Sequence, residues 1–189
     1  MSAFFLHLLR HGAPETSGLL LGRTDLPSTT AGVRRCVAQA RGLCVDQLQC
    51  SDLGRARVAA DAISSEFAIP VRQDRRWREL DFGQWDGLSP DQVEPAALAA
   101  FWADPDGAAP PGGERWLELV SRVAQAISEL RSAPTLVVTH AGAMRAALHH
   151  LCKIPQAQCW AFHLPYAALL TLRVWPGEEP AAQIYGLRG

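Results

Sequence analysis

Residues 135–139 (Thr-Leu-Val-Val-Thr) form a β-branched run of the kind found in a central parallel strand, buried on both faces. The run stops at once in His140-Ala141-Gly142, and a helical pattern continues from there through Leu151. A second apolar run, residues 4–9, reads as another buried strand and ends as abruptly in Arg10-His11-Gly12. Strand-like and helix-like stretches alternate along the chain, so the fold class is α/β. In such sheets ligands gather outside the carboxyl ends of the strands, which is where both histidines fall.

The intervening segments add partners. Residues 13–28 read as a long polar loop containing Gly22-Arg23-Thr24-Asp25-Leu26-Pro27, with Gly22 and Arg23 placed to line a substrate entrance. A helix is expected over residues 30–44, with Val33, Cys36, Val37, Ala40, Leu43 and Cys44 on its buried stripe. A short strand at residues 48–50 leads to Ser51-Asp52-Leu53-Gly54-Arg55-Ala56, where Ser51 or Asp52 is expected to cap a helix buried through Val58, Ala59, Ala62, Ile63 and Phe67. Arg55 then opposes the helix dipole, a position that an anionic ligand would justify. Gly12 leaves room for a ligand to approach the backbone.

Residues 71–73 suggest a further strand. The aromatic segment Trp77-Arg78-Glu79-Leu80-Asp81-Phe82-Gly83-Gln84-Trp85-Asp86-Gly87 offers Glu79 as a shielded acid, the alternative being surface pairing with Arg75, Arg76 or Arg78. A helix opening at Ser89-Pro90, a Pro/Gly-rich loop over residues 104–113, and a helix from about Glu114 to Leu130 follow. Two antiparallel strands, residues 167–175 and 181–187, close the chain.

A net charge of −1 over 189 residues argues against nucleic-acid binding through a broad basic surface. Five cysteines without a C-x-x-C pair fit a reducing cytoplasm, and the N-terminal run is too short for a membrane span and lacks the features of an export signal. No metal or cofactor is called for, and the neighbouring His149-His150 is read as structural. The length suits a single domain spanning residues 1–189, as a monomer or homodimer.

Two arginines, two histidines and one acid gathered on a sheet rim suit phosphoryl transfer, where catalysis is mostly positioning and charge stabilisation. Arg10-His11-Gly12, Ser51-Asp52-Leu53-Gly54-Arg55-Ala56, Arg78-Glu79-Leu80-Asp81-Phe82-Gly83 and Val138-Thr139-His140-Ala141-Gly142, in that order, resemble the histidine phosphatase (phosphoglycerate-mutase-like) superfamily. The resemblance covers nearly the whole chain. It implies a three-layer α/β/α sandwich with a mostly parallel central sheet. It also implies His11 as the nucleophile that becomes phosphorylated, Arg10, Arg55 and His140 around the phosphoryl oxygens, and Glu79 as acid and then base.

Within the superfamily the chain is similar to the α-ribazole phosphatase group, through residues 22–27, 80–87, 101–105 and 110–114. That implies a small phosphate ester, α-ribazole 5'-phosphate, as substrate. Arg115 and Ala13 depart from the group's usual Ser and Glu. The alternatives are a broad-specificity phosphatase, a phosphoglycerate mutase-like enzyme, and a non-catalytic module binding phosphate groups or proteins. Leu21 stands where mutases carry a small hydroxyl residue.

Overall fold

The computed structural model describes residues 2–189. Its centre is a six-stranded sheet in the order β3-β2-β4-β1-β5-β6. Strands β1 (Phe4–Arg10), β2 (Gln47–Cys50), β3 (Val71–Gln73) and β4 (Thr135–Thr139) run parallel, while β5 (Leu169–Trp175) is antiparallel to β1 and β6 (Ala181–Arg188) is antiparallel to β5. The residues of β4 are all buried, because β4 lies between β1 and β2 with helices on both faces.

Side-chain alternation divides the core in two. Leu6, Leu8 and Val137 face α4 (Trp116–Ser128) and α5 (Ala141–Cys152), whereas Leu9, Leu136 and Val138 face α1 (Thr30–Ala40) and α2 (Gly54–Phe67). This is the expected three-layer arrangement. Small residues let α2 lie close on the sheet: Ala56, Ala59 and Ala60 are buried, with Ile63 beside them, while Val58, expected in the stripe, is 38% exposed.

Several local expectations are corrected. Helix α1 ends at Ala40 rather than Cys44, and Cys44 is exposed. The helix expected from Ser89 is two elements: a 3-10 turn at Pro90–Gln92, then α3 (Pro95–Ala103), whose start is capped by the Glu94 carboxylate accepting from the N–H groups of Ala96 and Ala97. The second proline restarts the chain where one continuous helix was expected.

Neither Ser51 nor Asp52 caps α2. Its capping residue is Leu53, and the free N–H groups of Gly54 and Arg55 donate instead to the carboxylate of Asp25, at 2.5 and 3.1 Å. Ser51 accepts from Leu53 N, and Asp52 forms a two-pronged pair with Arg78. The space beside Gly12 is taken by α1: a Cβ on Gly12 would overlap the backbone of Gly32. Gly12 therefore serves contact between loop and helix.

Candidate active site

Register builds the first half of the site. Arg10 pairs with Thr139 across the parallel β1–β4 ladder, so the next residue on each strand, His11 and His140, leaves the sheet at the same level. Their ring centroids are 5.0 Å apart, and the His11 N–H continues the ladder onto the Thr139 carbonyl at 2.9 Å. Because β5 is antiparallel to β1, the chain entering β5 crosses the same rim. Ala167 N donates to His11 O, and Tyr166 comes within 5.5 Å of the His11 ring while stacking on the Arg10 guanidinium at 4.0 Å.

His11 Nδ1 lies 2.7 Å from the Gly12 carbonyl. A carbonyl can only accept, so Nδ1 carries the proton and the neutral ring keeps its lone pair on Nε2. Burial, with the charges of Arg55 and Arg10 added, holds His11 well below the ordinary imidazole pKa. Burial and Arg55 do the same to His140. Both rings are therefore neutral near pH 7, and the Nε2 lone pair of His11 is available for nucleophilic attack without a base to free it.

Loops build the second half. Trp77 anchors the acidic segment: its Nε1 donates to Gln49 Oε1, and its carbonyl accepts from Thr139 Oγ1 at 2.6 Å. Arg122 of α4 then clasps the carbonyls of Arg76, Arg78 and Glu79 while its guanidinium pairs with Glu114. Glu79 does not pair with Arg75, Arg76 or Arg78. Its carboxylate accepts from its neighbour Leu80 N at 2.9 Å and from Gly142 N at 3.1 Å, the latter in the first turn of α5. A free N–H at a helix start, the ordinary place for a bound anion, here holds the chain's own carboxylate. A Cβ on Gly142 would overlap Glu79 Oε1.

Arg55 is fully buried. Its terminal nitrogens donate to the carbonyls of Thr24 at 2.8 Å and of Leu21 and Gly22 at 2.9 Å. Arg10 donates to Leu164 O at 2.6 Å. What remains without a protein partner is informative: Arg10 Nε, Arg55 Nε and both ring nitrogens of His140 are buried and unpaired. Buried polar groups are ordinarily paired, so a rim holding four such atoms beside a neutral imidazole is prepared for an anion rich in acceptors.

A cavity of about 340 Å³ opens onto Arg10, His11 and Glu79. Most of its wall is apolar or aromatic, with Phe82, Phe101, Trp102, Trp116, Trp160 and Tyr166 around it. The reading from sequence missed two residues here. Tyr166 was detectable only through the antiparallel crossing. Arg145, four residues after Ala141 in an otherwise apolar helix, stacks on Trp160 at 4.6 Å and reaches Phe162 O at 3.3 Å. The structure thus gathers Arg10, His11, Arg55, Glu79 and His140. Gly22 and Arg23 stand apart from the cavity wall: Arg23 pairs with Asp81 at 2.9 Å, and Gly22 lies in the loop that holds Arg55. His149 Nδ1 lies 2.8 Å from the Ile154 carbonyl.

Known proteins resemble this chain in sequence and fold. The family model described as histidine phosphatase superfamily (branch 1) matches residues 6–185. The chain is 30% identical over 176 residues to a glucosyl-3-phosphoglycerate phosphatase of Mycobacterium tuberculosis, covering 83% of this chain and 79% of that one. It is 28% identical over 173 residues to the adenosylcobalamin/alpha-ribazole phosphatase of Salmonella typhimurium, covering 84% and 85%. A solved structure of a mycobacterial glucosyl-3-phosphoglycerate phosphatase superposes with a TM-score of 0.87 at 26% identity, over 97% of this chain and 98% of that one.

Proposed function

Since this chain belongs to the histidine phosphatase superfamily, we propose that it is a phosphomonoesterase working through a phosphohistidine at His11, with α-ribazole 5'-phosphate as its substrate. The observation that carries the chemistry is the set of buried, unpaired donors on Arg10, Arg55 and His140 around the neutral ring of His11. In the first step His11 Nε2 attacks phosphorus, the bond to the ester oxygen breaks, and that oxygen takes a proton from Glu79. In the second, Glu79 takes a proton from water, the water oxygen attacks phosphorus, and the P–N pair returns to Nε2. Ester and water become alcohol and phosphate, and the enzyme is restored. Arginines, rather than a metal, supply the positive charge on the phosphoryl oxygens.

The leaving group is argued from the cavity. Six aromatic side chains around it suit a flat, largely apolar body such as the benzimidazole of α-ribazole. One observation favours a second reading. Arg145 lines the same cavity with its Nε buried and unpaired, a fitting partner for a carboxylate such as that of glucosyl-3-phosphoglycerate.

The test is phosphate release from α-ribazole 5'-phosphate, glucosyl-3-phosphoglycerate, 3-phosphoglycerate and 4-nitrophenyl phosphate, in excess chelator, with His11→Ala as control. A lead of about a hundredfold in kcat/KM, about 2.7 kcal/mol of transition-state discrimination, identifies the substrate. Equal rates would leave a broad-specificity phosphatase. No release from any of them would leave a binding module.

A further inference from the structure

The loop that holds Arg55 is itself held from behind. Three successive N–H groups, those of Gly22, Arg23 and Thr24, converge on the carboxylate of Asp86, Gly22 at 3.2 Å and Thr24 at 3.1 Å. Successive amides turned to one side in this way form a nest for an anion. On their other side, the carbonyls of Leu21, Gly22 and Thr24 turn towards the Arg55 guanidinium.

Two peptide units therefore span the gap completely. In the unit between Leu21 and Gly22, the C=O accepts from Arg55 and the N–H donates to Asp86; the unit between Gly22 and Arg23 does the same. Each dipole lies with its positive end on the carboxylate and its negative end on the guanidinium, so the two charges polarise the same bonds in the same sense. The arrangement also explains Gly22. A Cβ there would meet Leu80 O at 2.5 Å, Phe82 N at 2.9 Å and Asp86 Oδ2 at 3.1 Å, closing the space the relay occupies.

Asp86 does not line the cavity. We propose that Asp86 is a positioning residue, which sets the pose of Arg55 through the peptide units of residues 21–23 and so aims Arg55 Nε at the phosphoryl group. This rests on the reading of Arg55 as a phosphate ligand. Asp86 and Glu79 belong to one segment, so a single stretch of chain carries the acid and places the buried cation.

The experiment is a double-mutant cycle on the full chain with 4-nitrophenyl phosphate as substrate and inorganic phosphate as inhibitor. Asp86→Asn keeps the shape but exchanges one acceptor for a donor facing the amides. It is expected to lower kcat/KM and to weaken inhibition by phosphate on the order of tenfold to a hundredfold, as for a misplaced positioning group. In the Arg55→Ala background the same change is expected to have no further effect on either quantity. An equal loss in both backgrounds, or a lowered Tm with phosphate inhibition unchanged, overturns the proposal. If Arg55→Ala alone leaves phosphate inhibition unchanged, the reading of Arg55 fails first and the proposal falls with it. Should the Asn variant not fold, Asp86→Glu, which retains the carboxylate one methylene further out, is put through the same cycle with the same criteria.

Discussion

The site has two halves that are held in different ways. His11, Arg10 and His140 are extensions of adjacent parallel strands, fixed by ladder hydrogen bonds and by the register that pairs Arg10 with Thr139. Glu79 and Arg55 depend on loops, each organised by an arginine that grips three carbonyls: Arg122 those of residues 76, 78 and 79, Arg55 those of residues 21, 22 and 24. Arg122 is also satisfied by Glu114, whereas Arg55 retains an unpaired Nε. The same clasp is thus purely structural in one place and leaves a donor free in the other. Removing the His11 or His140 ring breaks no ladder hydrogen bond, while a change in the half held by loops spreads along the carbonyls.

The largest effect is expected in the strand-borne half. His11→Ala is predicted to reduce turnover by at least about 10⁴-fold, as loss of a nucleophile does, with the far-UV circular dichroism unchanged. Retained turnover would end the phosphohistidine reading. In the loop-borne half, Glu79→Gln is predicted to lower kcat by about 10²- to 10⁴-fold on alkyl phosphates. It should have far less effect on the phosphorylation step with 4-nitrophenyl phosphate, whose leaving group needs no proton; an equal loss on both in a burst experiment would remove Glu79 as the acid.

Gly142→Ala tests whether the halves are mechanically separate. The added methyl overlaps Glu79 and should cost about tenfold to a hundredfold in kcat through misplacement of the acid. Inhibition by inorganic phosphate, which on the proposed reading depends on the strand-borne groups and Arg55, should be unchanged. Weaker phosphate binding in this variant would merge the two halves.

Acid should distinguish them too. Burial lowers the pKa of His7 to about 4 and holds those of His11 and His140 well below 6.5. The unfolded chain therefore takes up protons that the fold refuses once the pH drops below 6.5. Their stabilising contribution is complete above 6.5 and is lost as pH falls, for His7 down to about 4. Asp52, held below 3.8 by its bonds to Arg78, gives way only at lower pH. Chemical denaturation from pH 7 to 3 should thus show stability falling first through the imidazoles, while protonation of His11 adds no acid limb to kcat/KM as pH passes through 6.5. An acid limb at 6.5 that persists with a substrate whose phosphate is already doubly ionised at that pH would mean that His11 is not buried as described.

The smallest effect is expected at Asp25, which caps α2 from a distant loop. Asp25→Ala should cost about 1 kcal/mol of stability, the ordinary value of a lost cap, measurable as a shift in urea midpoint.

How each residue is held also explains how visible it was in the sequence. Arg10, His11 and His140 follow apolar runs directly, so strand ends alone located them. Their adjacency needed the β1–β4 register, which no local pattern encodes. Asp25 could not be recognised as the cap of α2 because it stands 29 residues before the N–H it receives, and Ser51 and Asp52 offered a nearer solution. Tyr166 and Arg145 went unnoticed because one depends on the antiparallel crossing of β5 and the other sits inside an apolar helix. The aromatic wall is drawn from separate segments, Phe101 on α3 and Trp116 on α4 among them, so no local pattern shows it as one surface.

The bond from His11 Nδ1 to the Gly12 carbonyl has a consequence for the lifetime of the proposed intermediate. A peptide oxygen orients the ring yet carries no net charge, so it offers little to stabilise the cation that the ring becomes once Nε2 bears phosphorus and Nδ1 keeps its proton. A carboxylate in the same place would make that cation comfortable and the phosphoryl group slow to depart. With a neutral acceptor the imidazole remains a good leaving group, and the half-reaction with water is favoured by the same contact that made the ring a nucleophile.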